Sequence, residues 1–259
     1  MNIGIFDSGI GGMTLLHQAI VTLPKENFIF YADTDHVPYG TKTKEQVIGY
    51  VDEVMRFMLD HDCKAVVIAC NTATSVAAKR MRRKYDIPII GIEPAVKPAL
   101  EQSAGKRVMV VATPLTIREE KLKNLVERVD DMHLVDLLAL PKLVSFAERG
   151  EFDTEEVYQY LKEMLEAFRL DEYGELVLGC THFNYFKDSF QKLLPADVRM
   201  IDGSTGTVNQ LKRVLEQKGQ LEEKEGSIRY YASGRELKTE QELQKMEALH
   251  KRLEQMRRI

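Results

Sequence analysis

Along the chain, short apolar runs alternate with stretches whose apolar residues recur every three or four positions. Runs at roughly 2–6, 28–31, 64–69 and 88–91 have the length and continuity of buried strands. Between them, Val47, Val51, Val54 and Met58 fall on one helical face. The alternation returns with runs at roughly 107–112, 134–138, 175–179 and 198–201. Here Leu122, Leu125 and Val129 mark one helix, and Val157, Leu161, Met164 and Phe168 another. Strands alternating with helices predict an α/β protein with mainly parallel sheets, and the second half repeats the first.

Glu93-Pro94-Ala95 through Lys97-Pro98 is a plausible crossing from one half to the other. A second crossing near Gly203-Ser204-Thr205-Gly206 would return the C-terminal segment to the first unit. The expected division is therefore residues 1–93 plus 207–259 against 94–206. Near the end, Leu243, Met246, Leu249, Leu253 and Met256 form a stripe at helical spacing. It reads as a helix docked on its own domain, with a homodimer contact as the alternative.

Composition removes several classes of function. The 259 residues are 44% hydrophobic, enough for a substantial core. A formal net charge of -4, and no Lys/Arg cluster interleaved with aromatics, give no footprint for nucleic acid. No apolar run reaches about 18 residues, and the first residues lack the basic and apolar regions of a signal peptide. The expectation is a cytoplasmic protein with no membrane partner. Three cysteines without a C-x-x-C pattern fit reduced thiols better than disulfides or a metal site.

Two of those cysteines occupy matching frames, Val66-Val67-Ile68-Ala69-Cys70-Asn71-Thr72 and Leu176-Val177-Leu178-Gly179-Cys180-Thr181-His182. Each thiol follows an apolar strand at its carboxyl tip, where open parallel sheets bind ligands, and each precedes residues suited to a helix start. Such a start would depress the thiol pKa. Cys63, before its strand, reads as structural. Asp7, opening Asp7-Ser8-Gly9-Ile10-Gly11-Gly12, ends the strand expected beside Cys70. That loop is either an anion cradle or a tight turn capped by Asp7. His182 stands two residues from Cys180. Tyr39-Gly40, after Pro38, is equally a turn or a lid, and Glu148 alone reads as a solvated acid near a helix end.

Val76 and Phe186 stand where a tyrosine-phosphatase loop needs arginine, which excludes that chemistry. An amidase built on Cys180, His182 and Glu148 remains open but leaves Cys70 idle. A two-base isomerase uses both thiols, one removing a proton from a carbon acid and the other delivering one to the opposite face.

Asp7-Ser8-Gly9 with Gly11-Gly12, Pro38-Tyr39-Gly40, Cys70-Asn71-Thr72-Ala73 and Gly179-Cys180-Thr181-His182 together resemble the glutamate racemases of the aspartate/glutamate racemase family. The resemblance implies two similar doubly wound α/β domains with the active site in the cleft between them. It implies cofactor-independent interconversion of L- and D-glutamate, supplying D-glutamate for peptidoglycan synthesis. By the same resemblance Cys70 is the base for D-glutamate and Cys180 the base for L-glutamate. Asp7 assists the first, and His182, supported by Glu148, the second. Substrate contacts are implied at Asp7, Ser8, Tyr39, Gly40, Asn71, Thr72, Thr113, Thr181 and His182. The chain departs from the family pattern at Glu119 and Leu122, where Ser and Tyr are usual, and at Asn184, where Pro is usual. Aspartate racemase is the nearest enzymatic alternative, and a two-domain protein that merely closes on a small acid is the non-enzymatic one.

Overall fold

The computed structural model describes residues Met1–Ile259. β1 (Asn2–Asp7) leads into α1 (Met13–Thr22), β2 (Phe28–Ala32), α2 (Lys44–Asp60), β3 (Cys63–Ile68), α3 (Asn71–Lys84) and β4 (Ile89–Gly91). Then come α4 (Val96–Gln102), β5 (Arg107–Ala112), α5 (Pro114–Arg118), α6 (Glu120–Val129), β6 (Val135–Ala139) and α7 (Leu143–Glu148). They are followed by α8 (Glu155–Leu165), β7 (Tyr173–Leu178), α9 (Lys187–Gln191) and β8 (Arg199–Asp202). The chain closes with α10 (Ser204–Gln217), β9 (Ile228–Ala232), β10 (Arg235–Glu236) and α11 (Glu240–Met256).

The strands form two sheets, in the orders β10-β9-β2-β1-β3-β4 and β6-β5-β7-β8. All pairings are parallel except the β9–β10 hairpin. Setting that hairpin and its strands aside, the two orders are the same: the first strand of each half lies between its second and third, with the fourth outside. The winding direction changes beside β1 and beside β5, which opens a crevice at the carboxyl ends of β1 and β3 and another at those of β5 and β7. The apolar runs of the inner strands are buried because helices cover both sheet faces, β3 and β7 at every residue, whereas β6 and β8 at the margins of the second sheet are only half-buried. On α2, Val47, Val51, Val54 and Met58 all face inward, joined by Met55.

β9 and β10 extend the first sheet beyond β2, an addition that the apolar periodicity does not announce. On α11, Met246, Leu249, Leu253 and Met256 are buried, whereas Leu243 stays 42% exposed. That helix packs against α1 and the 3-10 turn Thr181–Phe186 of its own chain, so internal docking accounts for the stripe. The departures from the family pattern are accommodated locally. Leu122 joins a small apolar cluster with Val96, Ala99 and Val108. Glu119 receives Lys44 Nζ at 3.0 Å, and Asn184 Nδ2 donates to the Thr181 carbonyl at 3.4 Å.

Candidate active site

Both thiols lie at the crevices. Cys70 caps α3 from an extended backbone, and its Sγ accepts from the Ala73 N–H at 3.4 Å. The start following Cys180 differs from the α-helix expected there, being a 3-10 turn over Thr181–Phe186. All six of its residues are buried, and β-branched, aromatic and Asn residues are indifferent helix formers, so side-chain packing prevails over a regular helical ladder. Cys70 and Cys180 are each only 6% exposed, and Asp7 is fully buried. The two crevices meet through side-chain contacts, Thr72 with Thr113 and Thr181 with Asp7.

The loop after β1 decides between its two readings. Asp7 Oδ2 accepts from the N–H groups of Gly12 at 2.9 Å and Gly9 at 3.3 Å, and Glu148 Oε1 accepts from the Ile10 N–H at 2.8 Å. Those donors are committed to carboxylates within the protein, and the Gly11 N–H to the His182 ring at 3.3 Å, so the loop is a capped turn and no phosphate cradle. Its glycines serve close approach instead. A Cβ on Gly11 would lie 2.3 Å from His182 Nδ1 and 2.6 Å from Thr181 Oγ1, so only glycine lets the first half meet the second here.

Across that contact runs a chain of polar groups. Thr181 Oγ1 donates to Asp7 Oδ1 at 3.4 Å, and His182 Nδ1 lies 4.0 Å from Asp7 Oδ2 and 3.9 Å from Cys180 Sγ. His182 Nε2 is 2.7 Å from Glu148 Oε1. The Gly11 N–H also points at Nε2, at 3.3 Å, so this nitrogen is held between the loop and Glu148 while Nδ1 faces the Cys180 thiol. Glu148, which reads alone as a solvated acid, ends α7 with its carboxylate turned inward. Burial tends to lift its pKa, but the His182 hydrogen bond and charge, with the Ile10 N–H, hold it below the ordinary carboxylate value. Burial opposes the charged imidazole of His182, yet Cys180 and Glu148 together push its pKa well above the usual histidine value.

The Cys70 side behaves differently. Desolvation, reinforced by the Asp7 charge, raises the Cys70 thiol against the Ala73 N–H and Ser8 hydroxyl that favour its thiolate. The depression expected from the helix start is therefore reversed, because full burial outweighs one backbone N–H. Its hydrogen-bond partner is Ser8 Oγ at 3.6 Å, while Asp7 acts on it through charge. Burial also raises the Asp7 carboxyl, against the opposing pull of His182 and the Gly12 and Gly9 N–H groups.

The remaining predicted residues divide into two groups. Thr72 Oγ1 is 2.9 Å from Thr113 Oγ1, and a Cβ on Gly40 would meet Thr113 Cβ at 2.8 Å, so Gly40, Thr72 and Thr113 converge. Asn71 is buried beside them in sequence, with its Oδ1 lacking any protein partner. Tyr39 is buried, but its hydroxyl turns away to Asp33 Oδ2 at 2.6 Å. Asp33 also receives His36 Nδ1 at 2.9 Å and Ser233 Oγ at 3.2 Å, which fixes the 36–40 loop as a braced turn. Sequence reasoning passed over Asp33 and assigned no site role to Thr116, whose hydroxyl lies 3.0 Å from Thr72 and 2.9 Å from Thr113. The spacing Thr113-x-x-Thr116 at a helix start was the available signal, since Thr113 caps α5 and brings Thr116 onto the same side. A cavity of about 1440 Å³ lies elsewhere; it is lined by Arg82, Lys97, Gly203 and Arg257 among others and contains neither thiol.

Comparison with known proteins bears on the chain and its fold as a whole. The Asp/Glu/Hydantoin racemase family model matches residues 13–211. The glutamate racemase of Lachnospira eligens is 55% identical over 265 residues, covering 100% of both chains. Among solved structures, a glutamate racemase isoform of Bacillus anthracis superposes with a TM-score of 0.80 at 31% identity, covering 89% of this chain and 88% of that one. That of Francisella tularensis, in complex with D-glutamate, gives 0.81 at 28% identity over 96% and 93%. With the model spanning most of the sequence and relatives matching it from end to end, the chain belongs to the Asp/Glu/Hydantoin racemase family of isomerases.

Proposed function

We propose that this protein interconverts L- and D-glutamate by a cofactor-independent, two-base proton transfer between Cys70 and Cys180. The observation that carries the reading is the placement of two buried thiols at the equivalent switch points of two similarly ordered sheets that face each other. A planar carbanion held between them exposes one face to each sulfur. Removal of the α-proton from one side and delivery from the other inverts the centre, and no step calls for an electron acceptor.

The two sides are unlike, as their helpers require. His182 Nδ1 takes the Cys180 proton, and the imidazolium is held by Glu148, so Cys180 serves as the base toward L-glutamate. Cys70, raised by burial, keeps its proton and delivers it to the opposite face. In the reverse direction the roles exchange, with Asp7 beside Cys70 handling charge. Ser8, Asn71, Thr72, Thr113, Thr181 and His182, with Tyr39 and Gly40 on the braced loop, bind the substrate's carboxylates and ammonium through fixed donors and acceptors. The Asn71 Oδ1 acceptor suits an ammonium. Residues 1–93 with 207–259 and residues 94–206 act as the two jaws. No helix is long and apolar enough to cross a membrane, and the reading assigns the enzyme to D-glutamate supply for peptidoglycan in the cytoplasm.

The direct test incubates the enzyme with each enantiomer of glutamate, and of aspartate in parallel, in heavy water. Exchange of the α-hydrogen with decay of optical rotation for glutamate is the expected result. Exchange with neither glutamate enantiomer rules the reading out, and preferential turnover of aspartate redirects it.

The Glu148–His182 pair carries a pH signature. Glu148→Gln keeps an acceptor near Nε2 but removes the charge that raises the His182 pKa. The imidazolium then deprotonates at lower pH, so the alkaline limb of the kcat profile moves acidward, with a loss of about tenfold for one charge-assisted hydrogen bond. An unshifted limb in the variant would remove Glu148 from proton handling.

A further inference from the structure

We infer that Arg252, on the C-terminal helix α11, is a positioning residue for the half of the site that carries Cys180 and His182; this rests on the racemase reading above. Nothing in the cysteine motifs points to this residue. Its Nη2 and Nε donate to the Tyr185 carbonyl at 2.8 and 3.2 Å, and Nη2 also donates to Asp188 Oδ1 at 2.8 Å. The guanidinium lies over the Phe152 ring at 5.6 Å, and Phe152 in turn stacks on Tyr185 with centroids 4.9 Å apart. One side chain thus holds the carbonyl end of the Thr181–Phe186 turn, where helical carbonyls have no partner of their own.

Tyr185 passes this constraint to the other half. Its hydroxyl donates to the Ile10 carbonyl at 3.0 Å, and the Ile10 N–H donates to the Glu148 carboxylate that orients His182. Arg252 therefore acts through Tyr185 at both ends of the His182 assembly without touching either thiol. The helix that presents it is fixed in turn, since His250 Nδ1, two residues before Arg252, lies 3.3 Å from His17 Nδ1 on α1. Cys70, on the far side of the cleft, has no member of this chain among its hydrogen-bond partners.

Enantiomers have equal free energies, so kcat/KM must be the same in both directions for every variant, and rate alone cannot tell the two sides apart. Primary deuterium isotope effects can. With α-deuterated L-glutamate the isotope effect reports abstraction at Cys180, and with α-deuterated D-glutamate abstraction at Cys70. Arg252→Ala should lower kcat/KM about tenfold in both directions. The isotope effect should rise for the L substrate and fall for the D substrate, because steps at Cys180 become more limiting. Arg252→Lys keeps the charge opposite Asp188 but loses the fork, and should show the same opposed changes at smaller size, so the test survives a poorly folded alanine variant. Isotope effects that move together, or stay fixed, in the folded variants overturn the positioning role. Wild-type turnover separates the two readings: its absence overturns the racemase and this inference together, whereas turnover with unopposed isotope effects overturns Arg252 alone.

Discussion

Cys70→Ser and Cys180→Ser will each reduce glutamate racemisation by about 10²- to 10⁴-fold, the usual contribution of a positioned acid or base. Serine keeps the side-chain shape at two sites that are almost fully enclosed, so the fold should persist and the loss should fall on chemistry. A hydroxyl is a far weaker acid than a thiol and cannot be deprotonated by His182 under the same conditions. The surviving thiol still faces its own side of the substrate. Cys70→Ser should therefore keep slow exchange of the α-hydrogen of L-glutamate through Cys180, and Cys180→Ser that of D-glutamate through Cys70. Solvent exchange followed by proton NMR for each enantiomer separates these outcomes. Either variant retaining near-full turnover would break the opposed-thiol assignment, and exchange on the wrong enantiomer would swap the two roles.

The repeat that places the thiols was legible because it is written in strand cores. Val66 to Ala69 and Leu176 to Leu178 are buried on both faces, and such runs leave little choice of element. The end strands were not legible in this way. Ile228-Arg229-Tyr230-Tyr231-Ala232 carries charge and exposes part of its length, since its outer side is covered only near its end by the two-residue β10. The available signal was the turn behind it: Ser233 and Gly234 both take positive φ, at 43° and 84°, as a tight hairpin requires.

Site residues followed the same rule. Cys70, Asp7, Thr113 and Cys180 sit on strand tips, where position in the pattern is position in space. Glu148 and Arg252 reach the site, or its supports, from helices distant in sequence, and the pairs Glu148–His182 and Arg252–Tyr185 exist only after the halves dock. The sign of the Cys70 shift was hidden for a related reason. A helix start is local and can be read from residues, whereas the burial that outweighs it is a property of the closed cleft.

Lys64→Met should destabilise the protein by about 3–5 kcal/mol, the cost of leaving a buried charge without its partner. Lys64 opens into no solvent: its side chain is 1% exposed and its Nζ lies 2.8 Å from Glu26 Oε2, whose side chain is 2% exposed. The same ammonium donates to the Gln220 carbonyl at 2.5 Å and reaches Glu222 Oε1 at 3.1 Å, and Glu26 Oε1 accepts from the Glu222 N–H at 3.0 Å. These bonds tie β3 to the segment between α10 and β9, so they fix the path by which the chain returns to the first sheet. Removing the cation strands the Glu26 carboxylate and frees that path at once. Adding Glu26→Leu to Lys64→Met takes away the stranded charge, so the double variant should recover much of the loss, a coupling that distinguishes an ion pair from simple packing. Urea unfolding midpoints of the wild type, both single variants and the double measure it. A single-variant loss under about 1 kcal/mol, or strict additivity, would mean that the pair is hydrated and adds no more than a surface ion pair does.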